Sequence, residues 1–197
     1  MTGSHLKVPP HQLIADADEV QRILFRLSRE LQERHRDPAL VTLCGIVTRG
    51  VFLADRLRRM IEEQGGGSWD AVSLDVGPYR DDEIRPQGAS RSGGMPDFPL
   101  PTATAERVRD RVVVLVDDVF YHGRTVRAAL AALAELARPR AVELLVLVDR
   151  GHRELPLRAT YVGKNIPTAQ NERVAVTVVG CDADDAIRLE RSEEPKA

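Results

Sequence analysis

Asp117 and Asp118 stand side by side at the end of the apolar run Val113-Val114-Leu115-Val116, and Val119-Phe120-Tyr121-His122-Gly123-Arg124-Thr125 follows them. An apolar strand that delivers carboxylates at its C-terminal end puts them at the edge where open parallel sheets bind ligands. A short loop with one glycine comes next, then a helix. Residues 121–125 would offer backbone N–H groups and the Thr125 hydroxyl at a helix N-terminus, which suits a phosphate. The two carboxylates, one loop away, can accept hydrogen bonds from vicinal hydroxyls of a sugar. Together these residues describe a sugar-phosphate site. Neighbours on a strand face opposite ways, so both acids cannot point into the core. An arbitrary Asp-Asp is more often a helix cap and a solvated acid, but the thirteen-residue context outweighs that alternative. The glycine patterns of nucleotide P-loops and of dinucleotide folds are missing from this segment.

Two further segments bear on the same chemistry. Gly45-Ile46-Val47-Thr48-Arg49-Gly50 reads as a strand-to-helix turn bracketed by glycines, whose backbone donors and Arg49 could hold phosphate oxygens. Tyr79-Arg80-Asp81-Asp82 opens a stretch in which five of the twelve prolines fall between Pro78 and Pro101. No hydrophobic period survives there, and a loop of that length in a compact domain is usually functional.

The elements that position these residues follow from periodicity. Val20, Leu24, Leu27 and Leu31 form one stripe, which predicts a helix from residue 13 to about 35 with Arg22, Arg26, Arg29 and Arg36 on the opposite face. Strands are expected over 40–44, 71–76, 111–116 and 141–148, and helices over 51–63 and 126–137. A short strand-like piece after Thr160, a strand over 174–179 and a charged tail complete the chain. The alternation of strands and helices indicates an α/β fold with a doubly wound, mostly parallel sheet. One domain is expected over residues 13–190, preceded by a disordered or tag-like stretch over 1–12 and followed by a charged tail over 191–197.

The chain has 197 residues and a net charge of −2, so any basic surface must be local rather than global. Only Lys7, Lys164 and Lys196 among the 28 basic residues are lysines. Cys44 and Cys181 form neither a disulfide framework nor a metal-ligand spacing, which favours a reducing, cytoplasmic setting. The five histidines show no zinc spacing. No apolar run is long enough to span a membrane, and the N-terminus lacks a signal-peptide layout.

The 113–125 segment resembles the phosphoribosyl-pyrophosphate signature of type I phosphoribosyltransferases. Two more motifs, Leu147-Val148-Asp149-Arg150-Gly151-His152-Arg153-Glu154-Leu155-Pro156 and Tyr161-Val162-Gly163-Lys164-Asn165-Ile166-Pro167-Thr168, resemble the PyrR family of pyrimidine-operon attenuation regulators. The resemblance implies the type I fold with a small hood and a flexible loop. It implies uracil phosphoribosyltransferase activity, in which uracil and phosphoribosyl pyrophosphate give UMP and pyrophosphate with Mg²⁺ carried mainly by the pyrophosphate. It also implies UMP-dependent binding of leader RNA, a cytoplasmic location and a homo-oligomer, dimer or higher. Asp117 and Asp118 inherit the ribose hydroxyls, Tyr121, His122, Gly123, Arg124 and Thr125 the 5-phosphate, and Thr48, Arg49 and Arg80 the pyrophosphate, with Val119 and Phe120 also in the substrate-binding set. Asp117, Asp118 and Arg80 form the catalytic set, with Asp118 as a candidate base. Arg150, Val162 and Ile166 inherit the uracil site. Arg26, Arg34, Thr48, His152, Arg153, Arg158 and Lys164 match the RNA-binding set, and Arg29 is placed with them although it stands where a histidine is usual. The chain departs from the family pattern at His122, where a threonine is usual, at Gly77-Pro78, and at Phe25, Arg29 and Val47. Two alternatives stand beside the bifunctional one: an RNA-binding attenuator with little catalysis, and a phosphoribosyltransferase for another base.

Overall fold

A computed structural model of the chain describes residues 11–79, 101–169 and 171–191. Arg80 and most of the Pro/Gly-rich segment expected to act as a flexible loop lie outside the described residues.

Five parallel strands form the central sheet, in the order β3 (Asp70–Leu74), β2 (Val41–Ile46), β4 (Val112–Phe120), β5 (Ala141–Asp149) and β6 (Tyr161–Asn165). Along β4, alternate side chains serve opposite faces. Val114 and Val116 join Leu24, Leu27 and Leu57 on one side, where helices α1 (Ala17–Arg34) and α2 (Arg49–Glu63) lie. Val113 and Leu115 join Val126, Ala129 and Leu133 on the other, where α4 (Arg124–Leu136) lies. Apolar residues on both faces explain why these strands read as continuous hydrophobic runs.

The first helix starts later than periodicity predicts. Residues His11–Ala15 are a strand, β1, and α1 begins at Ala17. Asp16 caps it by accepting a hydrogen bond from the Glu19 N–H at 2.9 Å, and Asp18 and Glu19 place negative charge in the first turn. β1 pairs antiparallel with β8 (Ala186–Arg191), which pairs with β7 (Glu172–Thr177). This three-stranded sheet is a hood beside the main one. It corrects two expectations: the residues after 179 are not simply a charged tail, and ordered pairing runs from His11 to Arg191. A short helix, α3 (Pro101–Val108), was also not expected from the sequence. It begins at a proline, tolerated in a first turn because no intrahelical N–H bond is needed there.

Candidate active site

The β4 strand carries its acids into the sheet rather than ending before them. Asp117 pairs across to Val146, and the ladder continues to Phe120 opposite Asp149. Asp117 continues the Val113–Leu115 row, on the α4 side, and is buried. Asp118 continues the Val114–Val116 row, on the α2 side, and its charge is felt at Arg49. The Asp118 N–H donates to the Asp117 carboxylate at 3.0 Å, and the Val119 N–H to the Asp118 carboxylate at 2.8 Å. The two acids therefore straddle the strand.

Between the end of β4 and the start of α4 lies a cavity of about 180 Å³, lined by Asp117, Val119, Phe120, Tyr121, His122, Gly123, Arg124, Thr125 and Val126. Gly123 occupies the N-cap position with φ +92°. Only glycine adopts that conformation without strain, so the single glycine of the motif sets the direction in which α4 leaves the loop. The unpaired N–H groups of the first helical turn point at this cavity's end of the helix, where an anion is favoured.

The glycine-bracketed turn closes the α2 side. A Cβ on Gly50 would lie 2.2 Å from the Val116 carbonyl oxygen, so the absence of a side chain lets α2 press its first turn against β4 next to Asp117. The Val47–Thr48 peptide is cis. Thr48 is exposed and precedes the helix without a side-chain capping bond. Arg49 is not free: its Nε and Nη2 donate to the two oxygens of Asp182 at 2.8 and 2.9 Å. The Val178 N–H also donates to Asp182, at 2.8 Å. The Arg49 guanidinium holds the Asp182 carboxyl below its usual range. Seven residues along α2, Arg56 pairs with the buried Asp185 at 2.8 Å. The Asp182-Ala183-Asp184-Asp185 turn thus fastens the hood to α2. Sequence reasoning missed Asp182, whose only signal was this acid run near the chain end.

The C-terminal motifs place their residues around Tyr121. The Arg150 guanidinium lies 3.7 Å from the Tyr121 ring centroid and donates to Thr168 Oγ1 at 3.0 Å and to the Glu172 carbonyl at 2.5 Å. Burial pushes its pKa down, and its contacts are with the protein's own groups. His152 Nε2 donates to the Thr168 carbonyl at 2.6 Å, and its ring meets Tyr121 edge-on. Arg153 pairs with Asp149. Ile166 is buried, its N–H donating to the Asp149 carbonyl at 2.9 Å. Val162 is half-buried on β6.

Helix α1 runs alongside β6, and the arginine stripe is less free than its periodicity suggests. Arg26 Nη2 donates to the Val162 and Gly163 carbonyls at 3.1 and 2.6 Å, and Nη1 to Glu30 at 2.5 Å. Arg34 pairs with Glu143, near the opposite end of the sheet from Asp149. Lys164 lies 3.5 Å from Glu19. Arg29 and Arg158 are exposed. The structure thus brings Arg26 and Lys164 together along one α1–β6 seam, while His152 and Arg153 sit by the phosphate loop and Arg34 lies at the far end.

Residues 12–184 match the family described as phosphoribosyl transferase domain. The chain is 49% identical to a bifunctional protein PyrR of Herpetosiphon aurantiacus, covering 88% of this chain and 93% of that one. It is 45% identical to the bifunctional protein PyrR of Leifsonia xyli, over 91% of this chain and 96% of that one. The chain belongs to the PyrR family. Solved structures with the same fold include a hypoxanthine-guanine phosphoribosyltransferase of Leishmania tarentolae in complex with GMP, with a TM-score of 0.67 at 14% identity, covering 94% of this chain and 99% of that one. A hypoxanthine phosphoribosyltransferase of Staphylococcus aureus aligns with a TM-score of 0.63 at 18% identity, over 89% of this chain and 90% of that one. At those identities the likeness is one of fold, and PyrR membership rests on the sequence relatives.

Proposed function

We propose that this PyrR-family protein transfers a phosphoribosyl group from phosphoribosyl pyrophosphate to uracil and regulates pyrimidine-operon transcription by UMP-dependent binding to leader RNA. The observation that carries the nucleotide half is the cavity in which Asp117 faces the N-terminal turn of α4, with Gly123 at the hinge. The 5-phosphate sits on residues 121–125 and the ribose diol on the Asp117–Asp118 pair. The pyrophosphate lies toward Thr48 and Arg49, and the family resemblance assigns it Arg80 as well. Uracil occupies the space between Tyr121, Val162 and Ile166, where Arg150 stiffens the Tyr121 wall.

The reaction asks little of side-chain acid–base chemistry. As the C1–pyrophosphate bond lengthens, positive charge grows on the ribose and negative charge on the leaving group. Asp117 and Asp118 favour the first, and Arg49 with the backbone donors of the 45–50 turn favours the second. Holding the base in line behind C1 supplies much of the remaining acceleration. Mg²⁺ is expected to enter on the pyrophosphate, where it would neutralise the leaving group's charge.

The RNA half rests on the α1–β6 seam and the exposed Arg22, Arg29 and Arg158. No helix among the described residues is long and apolar enough to cross a membrane. We place the protein in the cytoplasm as a homo-oligomer. Incubation with labelled phosphoribosyl pyrophosphate and each nucleobase in turn tests the enzyme: UMP should form with uracil, and product with another base instead would make it a different transferase. A leader-RNA mobility shift should strengthen with UMP; an unchanged shift would remove the regulatory half.

A further inference from the structure

Glu154 closes the phosphate loop from outside. Its carboxylate accepts from Arg124 Nε at 3.0 Å and lies 3.7 Å from His122 Nδ1. Its backbone N–H donates to the His122 carbonyl at 3.2 Å, which clamps the segment after β5 onto the loop. His122 and Arg124 both line the 180 Å³ cavity, whereas Glu154 is not among its lining residues. The two cation-forming side chains of the loop therefore share one carboxylate that arrives from beyond the site. The Glu154 side chain is 47% exposed, so solvent already reaches it.

The surroundings of His122 restrict its ring more than its charge. It stacks on Tyr121 at 3.6 Å between centroids with 30° between planes. Across Tyr121 lie the Arg150 guanidinium and the His152 ring edge. Asp117 is the remaining charged group on the cavity wall, and Asp118 lies on the other face of β4. Among the described residues Glu154 is the acid paired with the imidazole, at an ion-pair distance too long for a good hydrogen bond.

We propose that Glu154 is an internal counter-anion of the phosphate loop, that a bound phosphate displaces it, and that His122 takes up a proton as this happens. The exchange rests on the nucleotide reading above. A phosphate brings up to about two negative charges and three acceptor oxygens to cations that shared one carboxylate. An imidazole is the side chain whose charge changes near neutral pH, and a dianion at hydrogen-bond distance favours its protonated form more than a carboxylate at 3.7 Å does. The proton comes from solvent onto the ring, and Glu154 leaves as a solvated carboxylate. A threonine at this position donates a hydrogen bond at every pH and takes up nothing.

Calorimetry of UMP binding at pH 7.5 in two buffers of different ionisation enthalpy reads the proton directly. UMP is already dianionic there, since the second phosphate pKa is about 6. The wild-type protein should take up a fraction of a proton per UMP, His122→Thr none, and uridine, which lacks the phosphate, should cause none in either. His122→Thr should bind UMP about two- to fivefold more weakly than wild type at pH 6.5 and converge with it by pH 8.5. Glu154→Gln should bind UMP about two- to fivefold more tightly and keep the uptake. Equal uptake in wild type and His122→Thr would overturn the exchange, as would weaker binding by a Glu154→Gln protein that melts like wild type. Should Glu154→Gln fail to fold, the His122→Thr arm decides alone. A wild-type protein that binds UMP without uptake sinks only the exchange; one that binds no UMP at any pH sinks the nucleotide reading and the exchange with it.

Discussion

The contact between Gly50 and β4 sets how close the proposed pyrophosphate turn comes to Asp117, and a single methyl group tests it. In Gly50→Ala the new Cβ would stand 2.2 Å from the Val116 carbonyl oxygen and 3.1 Å from its carbon. Ordinary contacts begin near 3.4 Å, and the obstacle is backbone in the middle of the sheet, so the first turn of α2 must retreat by about 1 Å. Overpacking of this kind costs about 1–3 kcal/mol. For a domain of this size that is a fall of roughly 2–12 °C in melting temperature. The retreat also carries Arg49 away from the leaving group, and a misplacement of about 1 Å can cost on the order of 100-fold in rate. Gly65→Ala is the matched control at the other end of α2. Gly65 has φ +78° and nothing within 4 Å of a new Cβ, so the substitution adds about 1 kcal/mol of backbone strain with no displacement of the site. Thermal melts and steady-state kinetics with varied phosphoribosyl pyrophosphate separate the two. Gly50→Ala should lose stability and kcat/KM together, and Gly65→Ala only stability. A Gly50→Ala protein with wild-type melting and kinetics would show that β4 does not brace the turn.

Other expectations follow from single contacts. Arg26→Ala removes the donor to the Val162 and Gly163 carbonyls and should raise the KM for uracil by about tenfold, consistent with a lost charge-assisted bond; an unchanged KM would detach Arg26 from the base site. Arg29→Ala, on the exposed stripe, should reduce the slope of log RNA affinity against log salt by ~0.7–0.9, and an unaltered slope would make that residue a solvated charge. Asp182→Asn should lower the melting temperature at pH 7. Arg49 depresses the Asp182 carboxyl, so the charge stabilises the fold fully above the ordinary aspartate pKa of about 4, and that stabilisation is lost progressively as pH falls from there through the lower pKa of the folded state. The gap between wild type and Asp182→Asn should therefore close toward pH 3, and a gap independent of pH would mean that packing, not charge, holds the hood turn.

Local signals made the centre of the molecule legible. The run into Asp117 and Asp118, the lone Gly123 and the alanine-rich helix after it lie within one continuous stretch, so the strand, loop and helix N-terminus could be placed from neighbouring residues alone. The hood could not. β1 finds its partner 179 positions away, where His11 lies opposite Glu190, and nothing in His-Gln-Leu-Ile-Ala names that partner. Its apolar residues instead ran into the Val20–Leu31 stripe and lengthened the expected helix. The alternation Ile187, Leu189 in β8 is a half-buried strand pattern that the surrounding charges obscured. Asp182 shows the same limit: an acid in a charged run reads as solvated until the fold brings Arg49 to it. α3 is too short to show a period and begins where the prolines end.

The seam between α1 and β6 bears on how one protein can answer to both a nucleotide and an RNA. Glu19 meets Lys164, and Arg26 meets Val162 and Gly163, so the helix that carries the proposed RNA-binding arginines is bonded to the strand proposed to border the base. α1 can lie this close because position 163 is a glycine, whose Cβ would meet Ile23 at 2.7 Å and the Leu147 carbonyl at 2.4 Å. An RNA phosphate that draws Lys164 from Glu19 gives up only an exposed pair, which contributes little. One that draws Arg26 away leaves two β6 carbonyls without that donor, at the edge proposed to read uracil. Binding at the two places is then linked through shared bonds rather than through distance. Linkage is reciprocal: the factor by which UMP tightens RNA binding must equal the factor by which RNA tightens UMP binding. If Arg26 carries the coupling, Arg26→Ala reduces both factors together, toward one.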